Sequence, residues 1–302
     1  MVICMTKEFE CCQICPRNCK INRNMGHLGF CGTGKSLKVA RAALHFWEEP
    51  PISGDKGSGT IFFSGCNLKC VYCQNYEIST GGKGKEITVD RFVELCLDLQ
   101  MQGANNINLV TPTHYIPLIK EGILLAKEKG LKVPIVYNSS GYESVEALKE
   151  LEGIVDVYLP DLKYCNDDLA IAYSKAPHYF TTATRAIREM FRQVGPCQFD
   201  ENGLITKGVI VRHLLLPTHL DDSKKIIQYL YETYHDDIYI SIMNQYTVIR
   251  TLPFPELNQT VTDEEYDELI NFAIDLGVTN AFMQEGGTAS ESFIPNFFEF
   301  QG

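Results

Sequence analysis

The chain has 302 residues and a formal net charge of -11 at pH 7, long enough for one α/β barrel or two domains. That acidic balance excludes tight sequence-independent binding to phosphate backbones or anionic lipid, which Lys and Arg drive by releasing counterions, so neither nucleic acid nor a membrane is expected as a partner. The N-terminus, Met1 to Glu8, lacks a basic flank and apolar signal stretch, and the chain's twelve cysteines are expected to be reduced thiols in the cytoplasm.

Cysteines dominate the start of the chain. Cys12, Cys15 and Cys19 follow the spacing C-x2-C-x3-C, Cys31 comes eleven residues after the Lys20 that follows Cys19, and Cys11 is an extra neighbour. Four thiolates complete the set that a closed structural site needs, for zinc or for an iron–sulfur cluster. His27, between them, reads as a loop residue. The stretch Gly29 to Ser36 matches the phosphate-cradling pattern G-x4-G-K-S, but that motif works only between a buried strand and a helix. The preceding Ile21 to Leu28 holds two Asn, an Arg, a Gly and a His, so no nucleotide site is expected there. The pair Pro50-Pro51 and the glycine-rich stretch to Gly59 set a boundary. Residues 1–52 are read as a cysteine-rich metal-binding module and 53–302 as a second domain.

The apolar run Thr60 to Ser64 leads straight into Cys66, Cys70 and Cys73, spaced C-x3-C-x2-C. Three thiolates on so short a loop point at metal. A 4Fe-4S cluster has four irons to ligate, so this loop leaves one iron for an exogenous ligand. Beyond it helix-like and strand-like stretches alternate. Helices are expected over 90–102, 116–129, 143–151, 223–234 and 262–276, with a helical pair in 167–194. Strands are expected over 106–111, 133–138, 155–160, 207–216, 238–243 and 281–283. The last helix opens with the capping box Thr262 to Glu265. Repeated strand–helix units make a parallel sheet with helices outside, and about seven strands are too few to close a barrel of eight. The fold expected is therefore α/β: a partial, open (β/α)6-type parallel barrel behind a small cysteine-rich module.

In such folds chemistry sits at the C-terminal strand ends. Those ends carry Thr111-Pro112-Thr113-His114, Asn138-Ser139-Ser140-Gly141, Asp161-Leu162-Lys163, Arg212-His213 and Met243-Asn244-Gln245. Asp161 and Lys163, two apart, share a face and suit a ligand bearing hydroxyls and a carboxylate.

These motifs together resemble radical S-adenosylmethionine (SAM) enzymes of the pyruvate formate-lyase activating enzyme type, in particular an iron–sulfur subgroup with an N-terminal cysteine module. The likeness rests on the cysteine loop with Tyr72 before its last cysteine and Gln74-Asn75 after it, and on Asn138 to Gly141, Asp161 to Lys163 and Val211 to Pro217 followed by Asp221-Asp222. It implies a 4Fe-4S cluster on Cys66, Cys70 and Cys73, with SAM on the open iron and Tyr72 packed near the adenine. It also implies Lys163 at the SAM carboxylate, Asp161 binding SAM or ordering its surroundings, Arg212 along the cleft, and Asn75 beside the loop. Two departures stand out. Asn138 replaces an acid, and Pro112-Thr113-His114 replaces a Gly-Gly-Glu element, leaving Thr111, Thr113 or backbone to meet the SAM amino group and His114 as the acid–base residue on the substrate side. The implied reaction reduces SAM to a 5′-deoxyadenosyl radical, with electrons from a donor such as flavodoxin or ferredoxin. Its target is a glycyl-radical protein or a small metabolite. A non-catalytic iron–sulfur or zinc scaffold is the competing class, with zinc or a second iron–sulfur cluster at the N-terminal cysteines.

Overall fold

Six successive strand–helix units and a final strand build the protein in the computed structural model, which describes residues 6–284. In chain order the strands are β1 Leu37–His45, β2 Ser58–Phe63, β3 Lys85–Ile87, β4 Ile107–Val110, β5 Ile135–Ser139, β6 Val157–Pro160, β7 Gln198–Phe199, β8 Ile205–Leu214, β9 Tyr239–Met243 and β10 Ala281–Met283. The helices are α1 Pro50–Ser53, α2 Tyr76–Ser79, α3 Val89–Met101, α4 Ile116–Glu128, α5 Val145–Lys149, α6 Asp167–Ser174, α7 Tyr179–Val194, α8 Leu220–Tyr234 and α9 Asp263–Leu276. The sheet runs β10-β9-β8-β6-β5-β4-β2-β1-β3, with β7 alongside β8. Along the path from β2 to β10 every neighbour is parallel, whereas β7 runs antiparallel to β8 and β1 runs antiparallel to both β2 and β3. The mixed α/β architecture and its open, mostly parallel sheet agree with the partial barrel expected.

Alternation within the strands sets two cores. Tyr137, Tyr158, Val209, Val211, Ile240 and Ile242 face the helical layer and join the main cluster. Their neighbours Val136, Val157, Leu159 and Ile210 point the other way and pack with Ile52 of α1 as a plug inside the barrel. Successive side chains on a strand face opposite sides, so one sequence supplies both layers. Local signals open the helices: Thr88 caps α3 by accepting from the Arg91 N–H at 3.1 Å, and Thr262 and Glu265 form the reciprocal capping box of α9.

The segment before the barrel holds more regular structure than its sequence suggests. Strand β1 descends along β2, from Val39 opposite Phe63 to His45 opposite Ser58. It then delivers Glu48 beneath the strands, where one carboxylate oxygen accepts from the Asn108 amide at 3.0 Å and the other meets Arg212 at 3.4 Å. The stretch Gly29 to Ser36 is irregular and leads into this strand rather than a helix, with Lys35 exposed.

Candidate active site

A cleft of about 250 Å3 opens at the C-terminal ends of the parallel strands. A larger groove of about 650 Å3 lies at the opposite ends, around Pro50, Gly54 and Asn105. That groove brings together no thiol or imidazole, so the chemistry belongs to the smaller cleft.

One wall is the loop after β2. Cys66, Cys70 and Cys73 all line the cleft, and each sulfur has a hydrogen-bond partner. Cys66 accepts from the Leu68 N–H at 3.4 Å, Cys70 from the Ser174 hydroxyl at 2.9 Å, and Cys73 lies 3.3 Å from the Ser79 hydroxyl. The loop is clamped to the end of α6, where Lys69 and Val71 donate to the Ser174 and Tyr173 carbonyls at 3.1 and 2.8 Å. Gly65 opens it at φ +85°, and a Cβ there would stand 2.7 Å from the Cys31 carbonyl oxygen and 3.2 Å from His114 Nε2, which only glycine avoids. Burial, then repulsion between neighbouring sulfurs, raises the Cys66 thiol; burial lifts Cys70 to about 11 despite the Lys163 ammonium beside it. Such thiols ionise only when a cation binds them.

Opposite stand the charged groups of β6 and β8. Asp161 bridges to Arg212 in the sheet and uses both carboxylate oxygens, one for Lys163 Nζ at 2.6 Å and one for Arg212 Nε at 2.9 Å. Arg212 also donates to the Asn138 side-chain oxygen at 2.6 Å. Burial alone would raise the Asp161 carboxyl, but the two cations hold it below its ordinary range. Burial would lower Lys163, yet Asp161 and then Cys70 raise it, so the ammonium stays charged.

Of the residues proposed from sequence, Tyr72, Asn75, Thr111, Asn138, Asp161, Lys163 and Arg212 line this one cleft. Thr111 does so at φ +59°, a strained conformation for a β-branched residue. That reversal swings the next turn away. The Thr113 hydroxyl donates to the buried Glu143 carboxylate at 2.6 Å, and His114 turns to the back of the cysteine loop, so neither is among the cleft-lining residues. There burial holds the His114 imidazole neutral, pushed down to about 3. The acid–base role read for His114 has no counterpart in the cleft geometry. Cys12, Cys15, Cys19 and Cys31 come together elsewhere, around a small buried void, while Cys11 is exposed.

Several contributors escaped the sequence reading. Tyr72 hydroxyl meets Tyr164 hydroxyl at 2.6 Å, Tyr164 meets Ser174 at 2.6 Å, and Ser174 reaches Cys70, a relay from ring to thiol. Tyr246 packs its ring 5.9 Å from Tyr72. No spacing in the sequence links these positions.

Residues 60–230, more than half of the chain, match the model of the Radical SAM superfamily. The chain belongs to that superfamily. It is 31% identical over 278 residues to an uncharacterised protein of Methanocaldococcus jannaschii, covering 88% of this chain and 75% of that protein. It is 28% identical over 198 residues to the pyruvate formate-lyase-activating enzyme of Clostridium pasteurianum, covering 62% of this chain and 74% of that one. A spore photoproduct lyase structure matches the fold with a TM-score of 0.51 at 13% identity, over 81% of this chain and 80% of that chain. Radical SAM proteins imply a 4Fe-4S cluster and SAM, and the cleft suits both. Its thiols are the soft donors iron prefers. Two further cleft-lining hydroxyls, on Ser140 and Thr247, are buried without a partner among the described residues, as polar atoms awaiting a ligand would be. Among the described residues no three His, Cys, Asp or Glu side chains close on a single-ion geometry, and a cluster, with a separate iron for each thiolate, does not require it. No helix among the described residues is long and apolar enough to cross a membrane.

Proposed function

We propose that this radical SAM protein is an activase-type enzyme that takes hydrogen from a glycyl-radical protein. The observation that carries this reading is the facing of three hydrogen-bonded thiols and the Lys163–Asp161–Arg212 group across one cleft. Cys66, Cys70 and Cys73 would hold a 4Fe-4S cluster, and Lys163 would meet the SAM carboxylate as a point charge fixed by Asp161. Ser140 and Thr247 would take polar atoms of SAM, and the Tyr72 ring would cover the adenine. Bound together, cluster and SAM supply a reductively generated 5′-deoxyadenosyl radical. The protein's share is to orient the sulfonium and keep water and stray hydrogen donors away. The similarity to a pyruvate formate-lyase-activating enzyme supports a protein rather than a metabolite as target. Flavodoxin or ferredoxin would supply the electron. The described cysteines are all free thiols, which supports a reducing compartment, the cytoplasm.

Anaerobically reconstituted protein with reductant should convert SAM to 5′-deoxyadenosine and methionine, and Cys66→Ala should abolish this. No 5′-deoxyadenosine from protein with an intact cluster, verified by its spectrum, would overturn the reading. Stimulation by a metabolite and by no glycyl-radical protein would overturn the choice of target.

A further inference from the structure

Behind the cysteine loop, a void of about 10 Å3 is lined by Cys12, Cys15, Cys19 and Cys31, by Arg17 and Arg23, and by His114. Three observations set this place apart from an ordinary core. The first is the imidazole. His114 Nε2 lies 2.9 Å from the Ser64 carbonyl oxygen, which can only accept, so Nε2 carries the proton and Nδ1 presents its lone pair. Nδ1 is buried with no partner among the described residues, although His114 is only 2% exposed. The protein's other deeply buried histidine, His213, satisfies both nitrogens, on the Leu162 carbonyl at 2.7 Å and the Ser223 hydroxyl at 2.8 Å. A histidine that ligates a metal typically donates its remaining N–H to a backbone carbonyl, which is the arrangement of His114.

The second observation is charge. Arg23 is fully buried and Arg17 half-buried, yet their hydrogen bonds go to carbonyl oxygens, the Thr33 hydroxyl and the Cys12 sulfur, with no carboxylate among them, and one Arg17 nitrogen has no partner among the described residues. Each guanidinium is stacked on a ring, Arg17 over Phe30 at 3.8 Å and Arg23 over Phe9 at 3.9 Å. The buried guanidinium of Arg23, without a carboxylate partner, favours an anionic neighbour. Three thiolates and a neutral imidazole around a dicationic core carry a charge of −1. The third is the set of groups placed to donate to sulfur: the Phe30 N–H 3.5 Å from Cys19, the Thr33 hydroxyl 3.0 Å from Cys31 and an Arg23 nitrogen 4.0 Å from Cys12.

We propose that three of these four cysteines, with His114 Nδ1 as the fourth ligand, hold a dicationic, thiol-seeking metal centre of their own, separate from the cleft. Zinc and an iron–sulfur core are the two sources of that chemistry. Loading releases the thiol protons to solvent, and either draws the donors inward around one zinc or spaces them on several irons. The centre would touch the cleft loop directly, because the Cys66 N–H donates to the Cys31 carbonyl at 3.3 Å and His114 holds the Ser64 carbonyl. This proposal does not depend on SAM chemistry in the cleft.

The test uses the full chain with Cys66, Cys70 and Cys73 all changed to alanine, purified anaerobically and analysed for zinc, iron and sulfide. One centre per chain is expected: zinc alone or iron with sulfide would each support it, and would say which core is bound. Metal well below one centre per chain would overturn it. X-ray absorption at the metal edge should show a sulfur shell with one nitrogen, lost in a further His114→Gln change. An all-sulfur shell would overturn the assignment of His114. Should the triple variant fail to fold, alkylation of the wild-type chain with and without a zinc and iron chelator gives a second measure. The chelator should raise labelling within the set Cys12, Cys15, Cys19 and Cys31, with exposed Cys11 reacting alike in both, and unchanged labelling of all four would overturn the centre.

Discussion

Asp161→Asn is the most exacting perturbation of the cleft, since asparagine keeps the size and one acceptor but deletes the charge between two cations. In the wild-type protein Lys163 Nζ stands 2.6 Å and Arg212 Nε 2.9 Å from the carboxylate, and the three side chains are 14–17% exposed. Removing one partner of a buried ion pair costs about 3–5 kcal/mol, because it strands the opposite charge. Glu48 remains 3.4 Å from Arg212 and compensates in part, so we expect the lower figure, about 3 kcal/mol. Anaerobic urea unfolding at matched iron content would read this. The Asp161→Asn, Lys163→Met double variant should recover part of the loss, since the stranded ammonium is gone. The pH dependence has a definite sign. A carboxyl held below its unfolded value contributes stability above a pH of about 4, and that contribution fades as pH falls through the folded value. The gap between wild type and Asp161→Asn should therefore narrow on acidification. A single-variant loss under about 1 kcal/mol, or strictly additive losses in the double variant, would refute the view of Asp161 as the hub of this wall.

Three other outcomes are expected. Burial raises the Glu143 carboxyl from 4.5 to about 7, so its proton stabilises the fold fully below pH 4.5, a contribution lost as pH rises through 7 and worth at most roughly 3 kcal/mol. Glu143→Gln should match wild type near pH 4 and exceed it at pH 8 in pH-dependent unfolding; parallel curves would contradict the burial argument. Thr111→Gly should leave stability equal or raise it by about 1 kcal/mol by relieving the positive φ, while SAM affinity in equilibrium dialysis falls, and a clear loss of stability would show that the strain is not there. Ser174→Ala removes a hydrogen bond to the Cys70 sulfur and should move the cluster's reduction potential to more negative values in a redox titration.

The elements that alternate cleanly were legible from the sequence. Val136, Val157 and Ile210 face one way and their neighbours the other, so the strands announce themselves, and Asp161 and Lys163 could be placed at a strand end by counting. Strand β1 was not legible because its register shifts between Val39 and Arg41, which breaks the period of two that would have revealed it. The turn after β4 misled for a related reason. His114 was recognisable as a histidine at a strand end, but its direction is set by the left-handed Thr111, a backbone state that no β-branched residue advertises. Ser174, Tyr246 and Thr247 carry no local signal, since only the folded sheet brings them to the cysteine loop.

From β2 to β10 the parallel strands lie side by side in the order in which they occur in the chain. Each new strand–helix unit can therefore dock on the exposed edge of those already made as the polypeptide leaves the ribosome, without threading between finished neighbours. The thiol wall belongs to the first of these strands, whereas Arg212, Met243 and Thr247 close the far side only when β8 and β9 are in place. Were the strands to dock in that order, the three cysteines would be gathered but uncovered until β8 and β9 arrive. That interval is when an iron–sulfur carrier would have unobstructed access, before the last strands narrow the entrance to the dimensions of a small molecule.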